Sequence, residues 1–380
     1  MELYIHIPFC RKKCRYCDFP SFAGCEHLMP AYVRRLTEEI RSRGEELGHP
    51  TLETVFMGGG TPSLLPPELL EAVFSAVRES FPLAADAEIT SEANPGTLTR
   101  EWLQCGVGQG INRLSLGMQA AQDRLTAMLG RIHRQEQVAE SVALARESGI
   151  ADLNLDLMFG LPGQTRADWR ESLEAALSLA PCHLSCYGLI PEEGTPLLKD
   201  LEEGRLTLPP EEEERAMYDE ALSLLAKQGL QQYEISNFAL PGKECRHNLG
   251  YWTGAFYLGV GSSAASMLPD PTGEFFCLRP ANPASLEDYL AGERGEIPKI
   301  TREEARFETV MLGLRLTRGV READFLSLHG ISLESWCGPA LERQTARGLL
   351  EHREGYWHLT RQGMDLMNTV LVDIMEETDS

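Results

Sequence analysis

The chain has 380 residues, 43% hydrophobic and 24% charged, with a formal charge of −22 at pH 7. That length suits two to three units, and the charge repels nucleic acid backbones and anionic lipid, so no nucleic acid partner is expected. No apolar run reaches the roughly 18 residues of a membrane helix and the first residues lack a signal-peptide pattern, which points to the cytoplasm, where clustered members of the ten cysteines suggest a metal.

Short strand-forming runs alternate with helical patterns from the start. Strands are predicted over 3–7, 54–58, 87–93, 112–117, 153–159 and 183–189, with helices over 31–47, 66–80, 122–129, 135–148 and 166–180. The stretch 99–105 has room for a short helix only. Six βα repeats argue for a parallel sheet clad in helices, because parallel neighbours need a crossover. An incomplete (β/α)6 barrel and a doubly wound sheet both fit, and both place ligands at the carboxyl ends of the strands. A helix over 210–228 and a strand-like "YEISNFA" (233–239) end the repeat, giving a first unit at 1–235. A connecting segment rich in Gly, Pro and Asn, 236–300, holds "RHNLGYW". From 301 to 380, helices over 302–316, 321–328 and 338–350, a hairpin in "LLEHREGYWHLT" and a last helix over 361–376 outline a mostly helical, winged-helix-like domain. Docking or a lid is favoured for it over DNA binding, because the chain is acidic.

Cys10, Cys14 and Cys17 form C-x3-C-x2-C in the loop after the first strand. Thiolates on a loop can converge on an iron–sulfur cubane. Structural zinc, the competing reading, wants a fourth ligand that no second cysteine pair supplies at a suitable spacing. Three ligands leave one iron of a [4Fe–4S] cluster open to a small molecule. Other motifs follow later strands. The glycines of "MGGGTPS" allow close backbone approach to a ligand, or a simple turn. Glu92 in "SEANP" is a strand-end carboxylate, bonded to a ligand or merely solvated. Asp156 lies in an apolar strand and needs partners, either ligand hydroxyls or a salt bridge. Tyr4 and Tyr16 flank the cysteine loop as ligand-facing rings or as core.

With these motifs the chain resembles the radical S-adenosylmethionine (SAM) superfamily. The resemblance implies a cluster on Cys10, Cys14 and Cys17, with SAM held by Gly59, Gly60, Thr61, Glu92, Gln119, Arg131 and Asp156. Tyr4, Tyr16 and Ala265 are further candidate SAM contacts. The segments "YIHIPFC", "GGGTPS", "SLGMQ", "GRIH", "DLMFGLPGQT" and "YEISNFA" look like the oxygen-independent coproporphyrinogen dehydrogenase group, which joins such a barrel to a smaller C-terminal domain. Two departures mark a different branch. Phe19 stands where the dehydrogenases carry an additional cysteine, and only nine residues precede Cys10 in place of a long substrate-holding arm. Both features are similar to the heme chaperone branch, whose H-N-x-x-Y-W pattern is matched by His247, Asn248, Tyr251 and Trp252.

That resemblance implies a protein that binds heme and passes it to an acceptor protein. Tyr251 and Trp252 would face the porphyrin, and His247 is either the axial iron ligand or a hydrogen-bonded structural histidine, with Cys245 a rival ligand. Lys243 and Arg246 are candidates for the propionates. A flavodoxin- or ferredoxin-like electron donor and a membrane-protein acceptor are compatible partners. The alternative is a radical SAM oxidoreductase or methylase acting on a tetrapyrrole. Cys182, Cys186, Cys245 and Cys277 read as buried thiols in preference to a second cluster.

Overall fold

The computed structural model describes residues 1–293 and 295–378. Six strands, β1 (Glu2–Ile7), β2 (Leu52–Gly59), β3 (Leu83–Ala93), β4 (Arg113–Gln119), β5 (Asp152–Phe159) and β6 (His183–Gly188), lie side by side in chain order and all run parallel. The crossovers carry α1 (Met29–Leu47), α2 (Pro67–Ser80), α3 (Arg100–Gly108), α4 (Gln135–Glu147) and α5 (Arg166–Ser178). Because strand side chains alternate between faces, Leu3, Ile5 and Ile7 enter the hydrophobic core, as do Val55, Met57, Leu114 and Leu155. Tyr4 and His6 take the inner face. The result is the incomplete barrel of the sequence reading.

The segment after β6 supplies a strand to each edge of that sheet. α6 (Glu211–Lys227) is followed by β7 (Asn237–Ala239), antiparallel to β6, and β8 (Tyr257–Val260) joins parallel to β1. The strand expected over 233–239 is broken. Glu234 bridges to Leu316, and its carboxylate accepts the Ser236 N–H at 3.2 Å, so the chain bends before pairing resumes at Asn237. Between the edge strands lies an unpredicted helix, α7 (Arg246–Thr253), which contains the H-N-x-x-Y-W residues. Its N-terminal N–H groups are met by Glu88 of β3, which accepts from Arg246 at 3.0 Å and from His247 at 3.1 Å. Buried Glu39 of α1 ties down the stretch beyond β8 by accepting from Gly261 N–H, the Asn282 amide and the Tyr289 hydroxyl.

The C-terminal module has its own core, including Leu314, Phe325, Leu341, Trp357 and Ile374. It comprises α8 (Arg302–Gly313), α9 (Glu322–His329), α10 (Leu333–Ala346) and α11 (Met367–Thr378), with a wing ordered Val320–Arg321, Tyr356–Leu359, Leu350–Arg353. Two expectations are corrected here. α10 begins five residues before the expected 338, because the Ser332 hydroxyl caps the Ser335 N–H at 3.1 Å, and it kinks at Cys337, two residues ahead of Pro339. The last helix is split, with Arg361–Asp365 separated from α11 at Leu366, whose φ is −113°. Thr317 N–H donates to the Tyr233 carbonyl at 3.0 Å, and Arg215–Asp365 and Arg361–Asp219 ion pairs at 2.6 and 2.9 Å join the module to α6.

Candidate functional site

The cysteine loop leaves the carboxyl end of β1 and is held by backbone and side-chain bonds, so its shape does not depend on the thiols pairing. Phe9 and Cys10 pair in parallel with Phe22 and Ala23, closing the loop at its base. Arg15 N–H donates to the Leu129 carbonyl and the Arg15 carbonyl accepts from Leu197 N–H, both at 2.9 Å. His6 braces the far stem. Its Nε2 lies 2.8 Å from the Pro20 carbonyl, which can only accept, so Nε2 carries the proton and Nδ1 accepts from the Tyr4 hydroxyl at 3.0 Å. Cys10, Cys14 and Cys17 are free and half-buried. Burial pushes the Cys14 and Cys17 thiols up, and Arg131 and Lys12 near Cys14 and Lys13 near Cys17 oppose it.

The other expected cofactor residues converge below this loop. Gly59 has φ +110°, donates its N–H to Glu92 at 3.1 Å, and leaves no room for a side chain, since a Cβ would stand 2.4 Å from the His6 ring. Gly60 packs as tightly, with a Cβ falling 2.7 Å from the Phe9 carbonyl oxygen. Thr61 directs its hydroxyl to Cys10 Sγ at 3.7 Å while accepting from Asn94 at 2.8 Å. Asn94 also accepts from Arg131 at 2.5 Å, and Arg131 donates to the Tyr16 hydroxyl at 2.7 Å. Burial pushes the Tyr16 phenol up to about 12. Asp156 accepts from Asn154 at 2.7 Å and Ser115 at 3.1 Å, and burial pushes its carboxyl up. Glu92 is pushed up to about 7 by burial and then by Asp156. Gln119 sits buried at the β4–β5 register shift with φ +66°. Ala265 is apart from this chain of contacts, bridged to Ala281 and with its carbonyl over Gly259.

Sequence reasoning passed over Asn94 and His6. Each had a signal: His6 shares a strand face with Tyr4 at a spacing of two, and Asn94 lies two residues past Glu92 in the same strand-end motif. A pocket between the loop and these residues is lined by Arg11, Lys12, Cys14, Thr61, Arg131 and Ile132.

The H-N-x-x-Y-W residues lie elsewhere, toward the amino ends of the strands. His247 is buried, its Nδ1 2.7 Å from the Thr54 hydroxyl and its Nε2 3.0 Å from the Tyr251 hydroxyl, with its ring stacked on Phe56. Both ring nitrogens are thus engaged by hydroxyl groups, the arrangement that the hydrogen-bonded one of the two roles left open by the sequence requires. Burial pushes His247 down to about 3 and Glu2 up to about 8, so their 3.9 Å approach is no ion pair at neutral pH. Tyr251 is wedged edge-on between His247 and Tyr257. Cys245 is buried with its thiol on Glu88, while Lys243 pairs with Asp152 and Arg246 with Asp86 and Glu53. Trp252 alone of the motif's aromatics turns to the C-terminal module, with the Arg315 guanidinium 5.5 Å over its ring.

Profiles of known families match two stretches of the chain. The Radical SAM superfamily matches residues 4–176, and the HemN C-terminal domain matches residues 300–366. The heme chaperone HemW of Bacillus subtilis (strain 168) is 38% identical, covering 97% of this chain and 97% of its own length. This chain belongs to the heme chaperone HemW family. The HemW of Escherichia coli (strain K12) is 34% identical over 98% of this chain and 97% of its own, and that of a Synechocystis strain 41% identical over 86% and 80%. Among solved structures, the coproporphyrinogen III oxidase HemN of Escherichia coli, described as a radical SAM enzyme, has the same fold, with a TM-score of 0.83 at 23% identity over 100% of this chain and 90% of that one.

In this HemW-family chain the residues present fit the cluster and cofactor that membership of the radical SAM superfamily implies. Among the described residues, no three His, Cys, Asp or Glu side chains stand as ligands of a single ion. Cubane ligands each meet a different iron and need not share one point. The half-buried free thiols stand beside Thr61, which bonds Cys10, and Arg131, whose Nε is buried without a partner; Glu92 and Asp156 carry no ion pair among the described residues. Uncompensated carboxylates suit a sulfonium and an ammonium group; the guanidinium suits a carboxylate.

Proposed function

We propose that this chain is a heme chaperone, carrying a [4Fe–4S] cluster on Cys10, Cys14 and Cys17, binding SAM beside it, and handing heme to an acceptor protein. The observation that carries the reading is the 38% identity to a HemW over 97% of both chains. When bound, the cluster supplies the electron that reductive cleavage of SAM requires. This chain's own residues do the rest: Thr61 directs a hydroxyl at Cys10 Sγ, Arg131 offers a fork to the SAM carboxylate, and Glu92 and Asp156 accept from its ammonium and ribose groups. Exposed Arg11, Lys12 and Lys13 form a cationic surface on the cysteine loop of a strongly acidic chain, the complement of an acidic flavodoxin or ferredoxin. No helix among the described residues is long and apolar enough to cross a membrane, so a membrane-protein acceptor would be met from outside the bilayer.

Enzymatic action on a tetrapyrrole is the second reading, favoured by the intact cofactor residues. Phe19, 62% exposed where the dehydrogenase group carries a cysteine, counts against coproporphyrinogen as substrate. Anaerobically reconstituted protein, supplied with reductant, SAM and coproporphyrinogen III, is expected to form no protoporphyrinogen while binding ferric heme stoichiometrically. Sustained turnover would overturn the chaperone reading in favour of the enzyme.

A further inference from the structure

The heme-binding reading leaves a question that His247 cannot answer: where an iron porphyrin could sit. A cleft of about 240 Å³ opens between the carboxyl end of α7 and the C-terminal module. Its walls combine the Trp252 indole with Leu316, Phe325 and Leu328. Leu328 is 38% exposed, an apolar side chain left open at the cleft of a strongly acidic chain. Two guanidiniums, Arg318 and Arg321, stand on the same rim. Arg318 is exposed and makes no ion pair among the described residues; Arg321 has only a 3.4 Å approach to Asp324, which also lines the cleft. Trp252 Nε1 is buried without a hydrogen-bond partner, and Tyr356, paired across the wing with Arg321, lines the same cleft with a hydroxyl that has no partner among the described residues.

A flat apolar ligand bearing two carboxylates satisfies each of these features. Aromatic and leucine walls match a macrocycle face, and paired guanidiniums match two propionates. A phenol without a protein partner offers an oxygen ligand of the kind that holds heme iron in some proteins. Resting on the chaperone reading above, we propose that heme docks in this cleft, its propionates at Arg318 and Arg321 and its iron at Tyr356. The motif then divides its labour: His247 and Tyr251 lock α7 to the barrel, and Trp252 presents the porphyrin wall. The C-terminal module becomes half of the binding site, and the barrel and the heme are linked through one short helix.

Ferric heme is titrated into the full-length protein, followed at the Soret band, for wild type, the double variant Arg318→Glu/Arg321→Glu, Trp252→Ala and Tyr356→Phe. Circular dichroism melting of each variant reports folding, and the charge-reversed pair, being on the surface, keeps the wild-type melt. The expected result is saturable wild-type binding, at least tenfold weaker for the double variant and for Trp252→Ala. Tyr356→Phe is expected to shift the Soret maximum and lose the phenolate charge-transfer band. Unchanged affinity and spectra in all the variants, with saturable wild-type binding, would place heme elsewhere and leave the chaperone reading standing. Absence of saturable binding in wild type would overturn both.

Discussion

Replacing His247 with alanine separates the two roles that the sequence allowed this residue. An exposed axial ligand contributes little to folding, so its loss would abolish heme binding and leave the apo-protein as stable as before. The structure predicts the reverse order. The substitution removes hydrogen bonds to Thr54 and Tyr251, at about 0.5–1.5 kcal/mol each, and leaves a cavity beside Phe56 worth a further ~1–2 kcal/mol. The loss is about 2–5 kcal/mol. An unfolding entropy of about 2.1 cal/mol/K per residue, over a barrel of about 300 residues, makes that a fall in Tm of roughly 3–8 °C. Protonation adds a pH signature. His247 is pushed from 6.5 to about 3 in the folded chain, so the unfolded state binds the proton first as pH falls. Its stabilising effect is therefore complete above pH 6.5 and declines by roughly 1.4 kcal/mol per pH unit toward 3. Differential scanning calorimetry of heme-free protein should show a gap between wild type and variant at pH 7.5 that narrows at pH 5.5. Equal melting temperatures at pH 7.5, with heme affinity lost, would refute the structural role.

Three other perturbations test the cofactor site. Gly59→Ala places a Cβ 2.4 Å from the His6 ring at φ +110°, and should cost about 1–3 kcal/mol of backbone strain, with SAM affinity by calorimetry down more than tenfold. Arg131→Lys keeps the charge but loses the fork that reaches Asn94 and Tyr16 together, so SAM binding should weaken while cluster content stays at the wild-type level. His6→Phe removes the bond to the Pro20 carbonyl; the cluster should form but bleach faster in air than in wild type, measured by decay of its visible absorption.

The parts of this molecule legible in the sequence are those encoded over short distances. The cysteine spacing, the six strand-forming runs and the glycines at the end of β2 are each encoded within a dozen residues, and each stands where the pattern placed it. What escaped depends on partners far along the chain. Helix α7 is capped by Glu88, about 160 residues away, so its start carries no local signal. The role of His247 is set by Thr54 at a separation of 193 residues, and a motif of aromatic residues around a histidine reads equally as a ligand site or as a plug. Glu234 breaks the expected edge strand because it bridges to Leu316 in another module. Asn94, which links Thr61 to Arg131, joins the site only when β2, β3 and the loop after β4 are brought together.

The claim on which the account depends is an iron with no protein ligand, open to SAM. Electron paramagnetic resonance of the reconstituted, reduced protein, recorded without and with SAM, examines that iron directly. The account predicts the signal of a reduced [4Fe–4S] cluster whose g-values change when SAM is added, and no such signal once Cys10, Cys14 or Cys17 is replaced by alanine. A spectrum indifferent to SAM, or tightly bound zinc in place of iron, would contradict it.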